Sequence, residues 1–126
     1  MRVISVLKLS LAAAAMLVHA VPSPTPADGN AGSQPFAPHV ALYVLSRGQG
    51  VPEEARTVLE QARARFSMLE DSGAITRIDE RRIGLEGETR LCAEFANEAD
   101  ALREHGWLER LAAGVELVNL ALEPCQ

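Results

Sequence analysis

The residues whose type most clearly points to specific chemistry are Cys92 and Cys125. They are the only two cysteines in the sequence. An even pair in an oxidising compartment predicts a disulfide, which would stabilise the fold by about 3–4 kcal/mol in the chain-entropy model. The sequence has no Cys-x-x-Cys redox motif, and a metal site would have to draw on His39 and His105. We therefore expect a structural disulfide, and neither a metal nor another cofactor.

Two further polar segments carry a hint of chemistry. Arg47, followed by Gly48-Gln49-Gly50, joins a predicted strand to a helix N-terminus, where backbone N–H groups can hold an anion. A tight turn with glycines at positive φ explains the same residues, and we favour it because the remaining residues of a phosphate-binding motif are missing. Charged residues between 79 and 94 indicate either a recognition patch or a solvated edge strand.

No hydrolytic constellation is recognisable in the sequence. No nucleophile can be placed beside His105, which lies on the apolar side of a predicted helix. Both cysteines are expected to be oxidised, and no carboxylate pair can be assigned a shifted environment. The sequence therefore predicts that the protein is not an enzyme.

The N-terminal segment has the pattern of an export signal. Two cations, Arg2 and Lys8, lead an apolar run of about half the ~20 residues that span a bilayer, and small residues close it. We predict a signal peptide over residues 1–20 with cleavage after Ala20, a Pro- and Gly-rich linker over 21–38, and one domain over 39–126. The protein is then periplasmic or secreted, with no membrane span after cleavage.

The net charge of the chain indicates which classes of partner are not expected. The chain has 12 basic and 17 acidic residues, so loss of Arg2 and Lys8 leaves 10 against 17, a formal −7, and no lysine. The remaining arginines are scattered among carboxylates and form no basic stripe. A nucleic-acid partner is therefore not expected, because binding needs such a stripe to neutralise phosphate.

Hydrophobic periodicity defines six elements. Alternation over 40–45 predicts a strand, and apolar residues at helical spacing over 52–71 predict an amphipathic helix. A hairpin turning at 86–88 follows, with a bulge expected near 79–82 because Ile78 is out of phase with Ile83 and Leu85. A second helix begins after Asn97, and a last strand alternates over 118–122.

The order β-α-β-β-α-β predicts an α+β, ferredoxin-like fold, with two helices on one face of a four-stranded antiparallel sheet. The other face would be open, and the predicted binding residues lie on it or at its edge. These are Tyr43, Leu45, Arg47, Arg90 and Asn119. Because the first strand separates Cys92 from Cys125 in the usual strand order, their bridge requires the tail to cross an end or a face of the sheet.

Two exported families have this layout. The segments 41–45, 51–55 and 114–118 are similar to propeptide-type inhibitors of subtilisin-like proteases, which implies a sheet that packs on an enzyme and a tail that enters its cleft. A bridged Cys125 would hold that tail back. Residues 95–101 resemble the strand-to-helix junction of the peptidoglycan-binding sporulation-related repeat, although most of its aromatic glycan-binding residues are missing. Both resemblances are at the level of layout.

These observations favour a binding module over a catalyst. We expect an inhibitor or adaptor whose open sheet face or terminal segment engages another envelope protein. Self-association through the open face is an alternative, because Ala41, Tyr43 and Leu45 are apolar there. A cell-wall glycan binder ranks next, and a small periplasmic enzyme ranks third.

Overall fold

The structure is a computed structural model that describes residues 38–126. The predicted signal peptide and all of the predicted linker except residue 38 lie outside the described residues. Six elements follow one another in the predicted order. They are β1 (His39–Val44), α1 (Glu53–Asp71), β2 (Ile75–Arg82), β3 (Thr89–Phe95), α2 (Glu98–Leu111) and β4 (Val118–Ala121).

The four strands form one antiparallel sheet in the order β2-β3-β1-β4. Both helices pack on the same face, so the predicted ferredoxin-like α+β fold is confirmed. The register places Ala121, Ala41, Cys92 and Asp79 side by side on four neighbouring strands. Their side chains lie on the face away from the helices, because alternate residues of a strand point to opposite faces.

The core lies between the helices and the inner face of the sheet. From β1 and β3 it takes every second residue, as the alternation predicts. The buried members are Val40, Leu42, Val44, Leu91, Ala93 and Phe95 from these strands, Ile75 from β2, and Ala55, Val58, Leu59, Ala62, Phe66, Ala101 and Leu108 from the helices. The Phe66 and Phe95 rings meet edge to face, with their centroids 6.1 Å apart.

Local signals set the ends of the helices. Pro52 was predicted to be the first residue of α1, but it is the N-cap, and the helix begins at Glu53. Glu53 and Glu54 lie in the first turn, where their negative charges interact favourably with the helix dipole. The Asn97 side chain accepts a hydrogen bond from the backbone N–H of Asp100, which confirms the predicted cap of α2.

The β2–β3 hairpin differs from the prediction in two respects. The irregularity lies between Ile75 and Arg77, not near 79–82: these residues pair with the adjacent Phe95 and Glu94, so Thr76 is the extra residue. Ile83 and Leu85 do not continue a strand: they belong to the connecting loop, where Ile83 is 46% and Leu85 100% exposed. The two residues have the spacing of alternate strand positions, but no core lies next to the loop for them to pack against.

A buried carboxylate ties the two helices together. Glu104 of α2 is 1% exposed and accepts two hydrogen bonds from Arg65 of α1, at 2.6 and 2.9 Å. The Arg65 guanidinium also lies 4.8 Å from the ring centroid of Trp107, which packs against the core. The bidentate pair satisfies a charge that burial would otherwise penalise.

This arrangement predicts unequal costs for two arginines on the same helix. Arg65→Leu leaves the buried Glu104 without its bidentate partner and should lower the free energy of unfolding by about 3 kcal/mol. Arg63→Leu is the matched control: Arg63 pairs with Glu80 where both side chains are substantially exposed, so the loss should stay below about 1 kcal/mol. Urea unfolding of both variants measures the difference, and equal losses would contradict the assignment.

Candidate functional site

The disulfide determines what the open sheet face looks like. Cys92 and Cys125 are bonded, with their Cα atoms 5.6 Å apart, as predicted. β4 ends at Ala121, and two strand spacings, about 10 Å, separate Ala121 from Cys92 across β1. Residues Leu122 to Gln126, which we call the strap, therefore cross β1 on the face that no helix covers.

The strap changes the exposure expected for this face. Ala41 and Cys92 are 0% exposed although they point away from both helices. The strap supplies the cover, since Cys125 is bonded to one of them and the chain passes the other on its way from β4. The face is thus open only in part.

Below the strap, Tyr43 and Arg90 form a pair that we call the clamp. They are cross-strand neighbours on β1 and β3, and Arg90 Nε donates to the Tyr43 hydroxyl at 3.0 Å. The hydroxyl in turn donates to the Glu123 carboxylate, which also accepts from Arg90 Nε at 3.2 Å and Nη2 at 3.1 Å. Arg90 Nη2 donates to the carbonyl oxygen of Pro124 at 2.8 Å. The clamp therefore holds a carboxylate and the next peptide carbonyl.

The charges around the clamp shape its electrostatics. The hydrogen bond from Tyr43 lowers the pKa of Glu123; partial burial opposes this, and Arg90 adds to the lowering through its hydrogen bond and its charge. On the other side, Asp79 Oδ2 lies 2.9 Å from Arg81 Nε and 3.9 Å from Arg90 Nη1, without the alignment of a hydrogen bond. Arg90, whose side chain is 12% exposed, thus lies between two carboxylates.

A groove opens beside the clamp. Its volume is about 430 Å³, within the range of ligand pockets. The strap forms one wall and the start of the hairpin loop another. The lining residues are Tyr43, Arg81, Ile83, Arg90, Glu123, Pro124 and Gln126.

The hairpin loop, residues 83–88, is fixed by its own polar groups. The Ser46 hydroxyl lies between the carboxylates of Glu86 and Glu88 and can donate to one of them at a time. The backbone N–H of Glu86 donates to Glu88 at 2.9 Å, and the N–H of Ile83 donates to the Glu88 carbonyl oxygen at 2.9 Å. The hydrogen bond from Ser46, aided by backbone N–H groups of Glu88 and Glu86, lowers the pKa of the Glu88 carboxyl. The loop is thus braced while Leu85 projects from it.

The other predicted binding residues do not join the clamp. Asn119 is exposed on β4 as a neighbour of Tyr43, and Leu45 is half-buried, with its N–H donating to Leu117. Arg47 extends from the β1–α1 turn, 3.8 Å from Glu116, with both side chains more than 70% exposed. Gly48 and Gly50 in this turn have positive φ, as the tight-turn interpretation predicted.

Reasoning from the sequence required the tail to cross an end or a face of the sheet, but it missed the contacts that the tail makes there and the hairpin loop. Glu123 and Pro124 contact residues of the chain that are 80 and 34 positions away, and such pairings leave no periodic trace. A usable signal did exist. Once Cys92 is placed on the open face, a bond to Cys125 puts Glu123 over that face as well.

Comparison of this chain with protein-family models, curated proteins and solved structures finds no match. Across residues 38–126, neither helix combines the length and apolar character needed to cross a membrane. The same residues bring no three His, Cys, Asp or Glu side chains into an arrangement that would hold a metal ion. The site must therefore be interpreted from its own geometry.

The disulfide should carry a large share of the stability. Cys125→Ser opens a loop with a sequence separation of 33 residues, so the free energy of unfolding should fall by about 3–4 kcal/mol. Cys92→Ala should cost a similar amount, and the double variant should cost little more than either single one. Urea unfolding measures all three, and losses below about 1 kcal/mol would contradict this account.

The Glu123 contacts should contribute a pH-dependent stability. Because the folded pKa is lowered, the contribution is present above the ordinary glutamate pKa of about 4.3 and is lost as the pH falls through the folded value. Glu123 is 37% exposed, so we expect Glu123→Gln to cost less than about 1 kcal/mol at pH 7. The gap from wild type should close as the pH falls through the folded pKa of Glu123, whereas Glu116→Gln, at a side chain that is 78% exposed, should cost almost nothing at pH 7.

Proposed function

We propose that this protein is an exported, non-catalytic binding module that engages another protein of the cell envelope, as an inhibitor or an adaptor. The observation that carries the proposal is the hairpin loop. Leu85 is wholly exposed, yet the loop beneath it is braced by hydrogen bonds from Ser46 and between its own residues. An apolar side chain on a preorganised support loses little entropy when it enters a partner's pocket.

The surroundings of the loop support a protein partner. Ile83 and Leu122, on the loop and on the strap, are each 46% exposed, and Tyr43 and Pro124 line the groove next to Ile83. Arg81 and Arg90 add the residue type that recurs with aromatic residues at binding hot spots. An exposed apolar side chain beside a groove lined by polar and apolar residues resembles the apolar centre and polar rim of a protein–protein interface.

The disulfide and the export-type N-terminal sequence together support an oxidising compartment. The same bond alters the inhibitor model expected from the propeptide layout. Cys125 is tied to β3, so the tail is not available to enter an enzyme's cleft. Contact through the hairpin loop and the groove takes its place in our proposal.

A glycan partner receives less support from the groove. Sugar rings stack on open aromatic faces, and Tyr43 is the aromatic residue in the lining. The guanidinium of Arg90 lies 5.7 Å from the centroid of the Tyr43 ring, so one face of the ring is already covered. The polar residues of the groove could bind sugar hydroxyls, but the sugar would lack the stabilisation that stacking on an aromatic ring provides.

The test is affinity capture from envelope extract with residues 21–126 as bait. Leu85→Asp should reduce recovery of the captured partner at least tenfold, because a charge replaces the apolar anchor. Leu102→Asp is the matched control: Leu102 is 51% exposed on α2, behind the sheet, and its substitution should leave recovery unchanged. Light scattering of the bait alone detects self-association.

Three results would oppose the proposal. Equal recovery with wild type and Leu85→Asp would remove the loop from the interface. Turnover of a substrate by the purified domain, abolished by one side-chain change, would make the protein an enzyme. Sedimentation with insoluble cell wall, without any protein partner, would support the glycan alternative.

A further inference from the structure

The clamp binds a carboxylate of the chain's own tail. Tyr43 and Arg90 together direct three hydrogen bonds at the Glu123 carboxylate, and Arg90 also binds the carbonyl oxygen of Pro124. Arg90 is 12% exposed, so its guanidinium is presented from a largely buried position. The tail therefore shows which groups the clamp binds: a carboxylate and the backbone carbonyl of the residue that follows it.

The strap has few other attachments. It follows β4 without adding a strand to the sheet, and its residues are half-buried or exposed. Its covalent anchor is the Cys92–Cys125 bond, and Glu123 and Pro124 bind it to the clamp through hydrogen bonds. Loss of the disulfide would leave only contacts that a competing segment with the same chemistry could replace.

We propose that the clamp binds an extended acidic segment of a partner protein, with glutamate followed by proline as in the strap, and that the Cys92–Cys125 disulfide controls access to it. The strap is then an internal mimic of the partner. This inference rests on the proposed function, because it names the kind of partner and adds its regulation. The partner segment would lie over Ala41 and Cys92, which the strap now covers.

Opening the strap requires a reductant, which we assign to the dithiol class. One thiolate of the reductant attacks Cys125 Sγ, which lies on the half-buried strap, and Cys92 leaves as the thiolate. The second thiol of the reductant then resolves the mixed disulfide. Two electrons and two protons pass to the protein, giving thiols at Cys92 and Cys125 and a disulfide in the reductant.

A synthetic peptide tests the inference without a natural partner. The probe is a fluorescent peptide with the sequence of residues 120–126, carrying serine in place of Cys125. The full chain with Cys125→Ser and Glu123→Gln has lost both strap anchors and should bind it at least tenfold more tightly than the oxidised wild type does, as measured by fluorescence anisotropy. Adding Arg90→Gln, or replacing the peptide's glutamate by glutamine, should each weaken binding at least tenfold.

Folding is checked by circular dichroism, and Cys125→Ser alone provides a second measurement. That variant keeps the Glu123 contacts, so its tethered tail competes with the peptide and binding should be intermediate. Equal binding by the oxidised wild type and the folded double variant would overturn the inference, as would binding indifferent to Arg90. If the peptide-binding experiment failed while capture of a partner still depended on Leu85, the proposal for the clamp would be wrong and the proposed function would stand. The two proposals can therefore be tested separately.

Discussion

The covalent bond between Cys92 and Cys125 is the constraint on which the non-helical face of this protein depends. Since β4 ends two strands away from β3, the bond forces the intervening residues across β1. That path places Glu123 over Arg90, and the arginine thereby lies between two carboxylates. The burial of Ala41, the binding of Glu123 by the clamp and one wall of the groove all follow from this one covalent link between a strand and the tail.

Two arginine–carboxylate pairs differ in burial, and this difference determines whether another carboxylate could replace the one that is bound. Arg65 and Glu104 join the helices, and the carboxylate is only 1% exposed, so another chain cannot reach it to replace Arg65. Arg90 and Glu123 use similar hydrogen bonds, but the carboxylate lies on a narrow segment at the protein surface. The first pair belongs to the architecture, whereas the second can be substituted by another chain with the same group.

Much of the fold could be predicted from the sequence because its signals are local. The helical spacing of Val58, Leu59 and Phe66, and the Asn97 cap, depend only on neighbours along the chain. The hairpin loop could not be predicted in the same way. Ile83 and Leu85 have strand-like spacing, and only the tertiary structure shows that no core faces them.

The candidate site was predictable to a smaller extent. Strand phase correctly placed Tyr43 and Arg90 on the non-helical face, but it gave no information on what lies above them. The contacts of Glu123 and Pro124 depend on a tail direction that no periodicity encodes. Pairing of the two cysteines was the one long-range constraint that the sequence offered.

The strand order also has a consequence for how the chain is made. The inner strand β1 must wait for β3 and then for β4, its last partner, before both its edges are paired. Cys92 likewise emerges 33 residues ahead of Cys125. Synthesis therefore delivers the inner strand β1 first and its last neighbour, β4, at the end. Nascent chains must keep a strand edge and a thiol unsatisfied until almost the whole domain is available, and sheets built from such distant pairings close slowly.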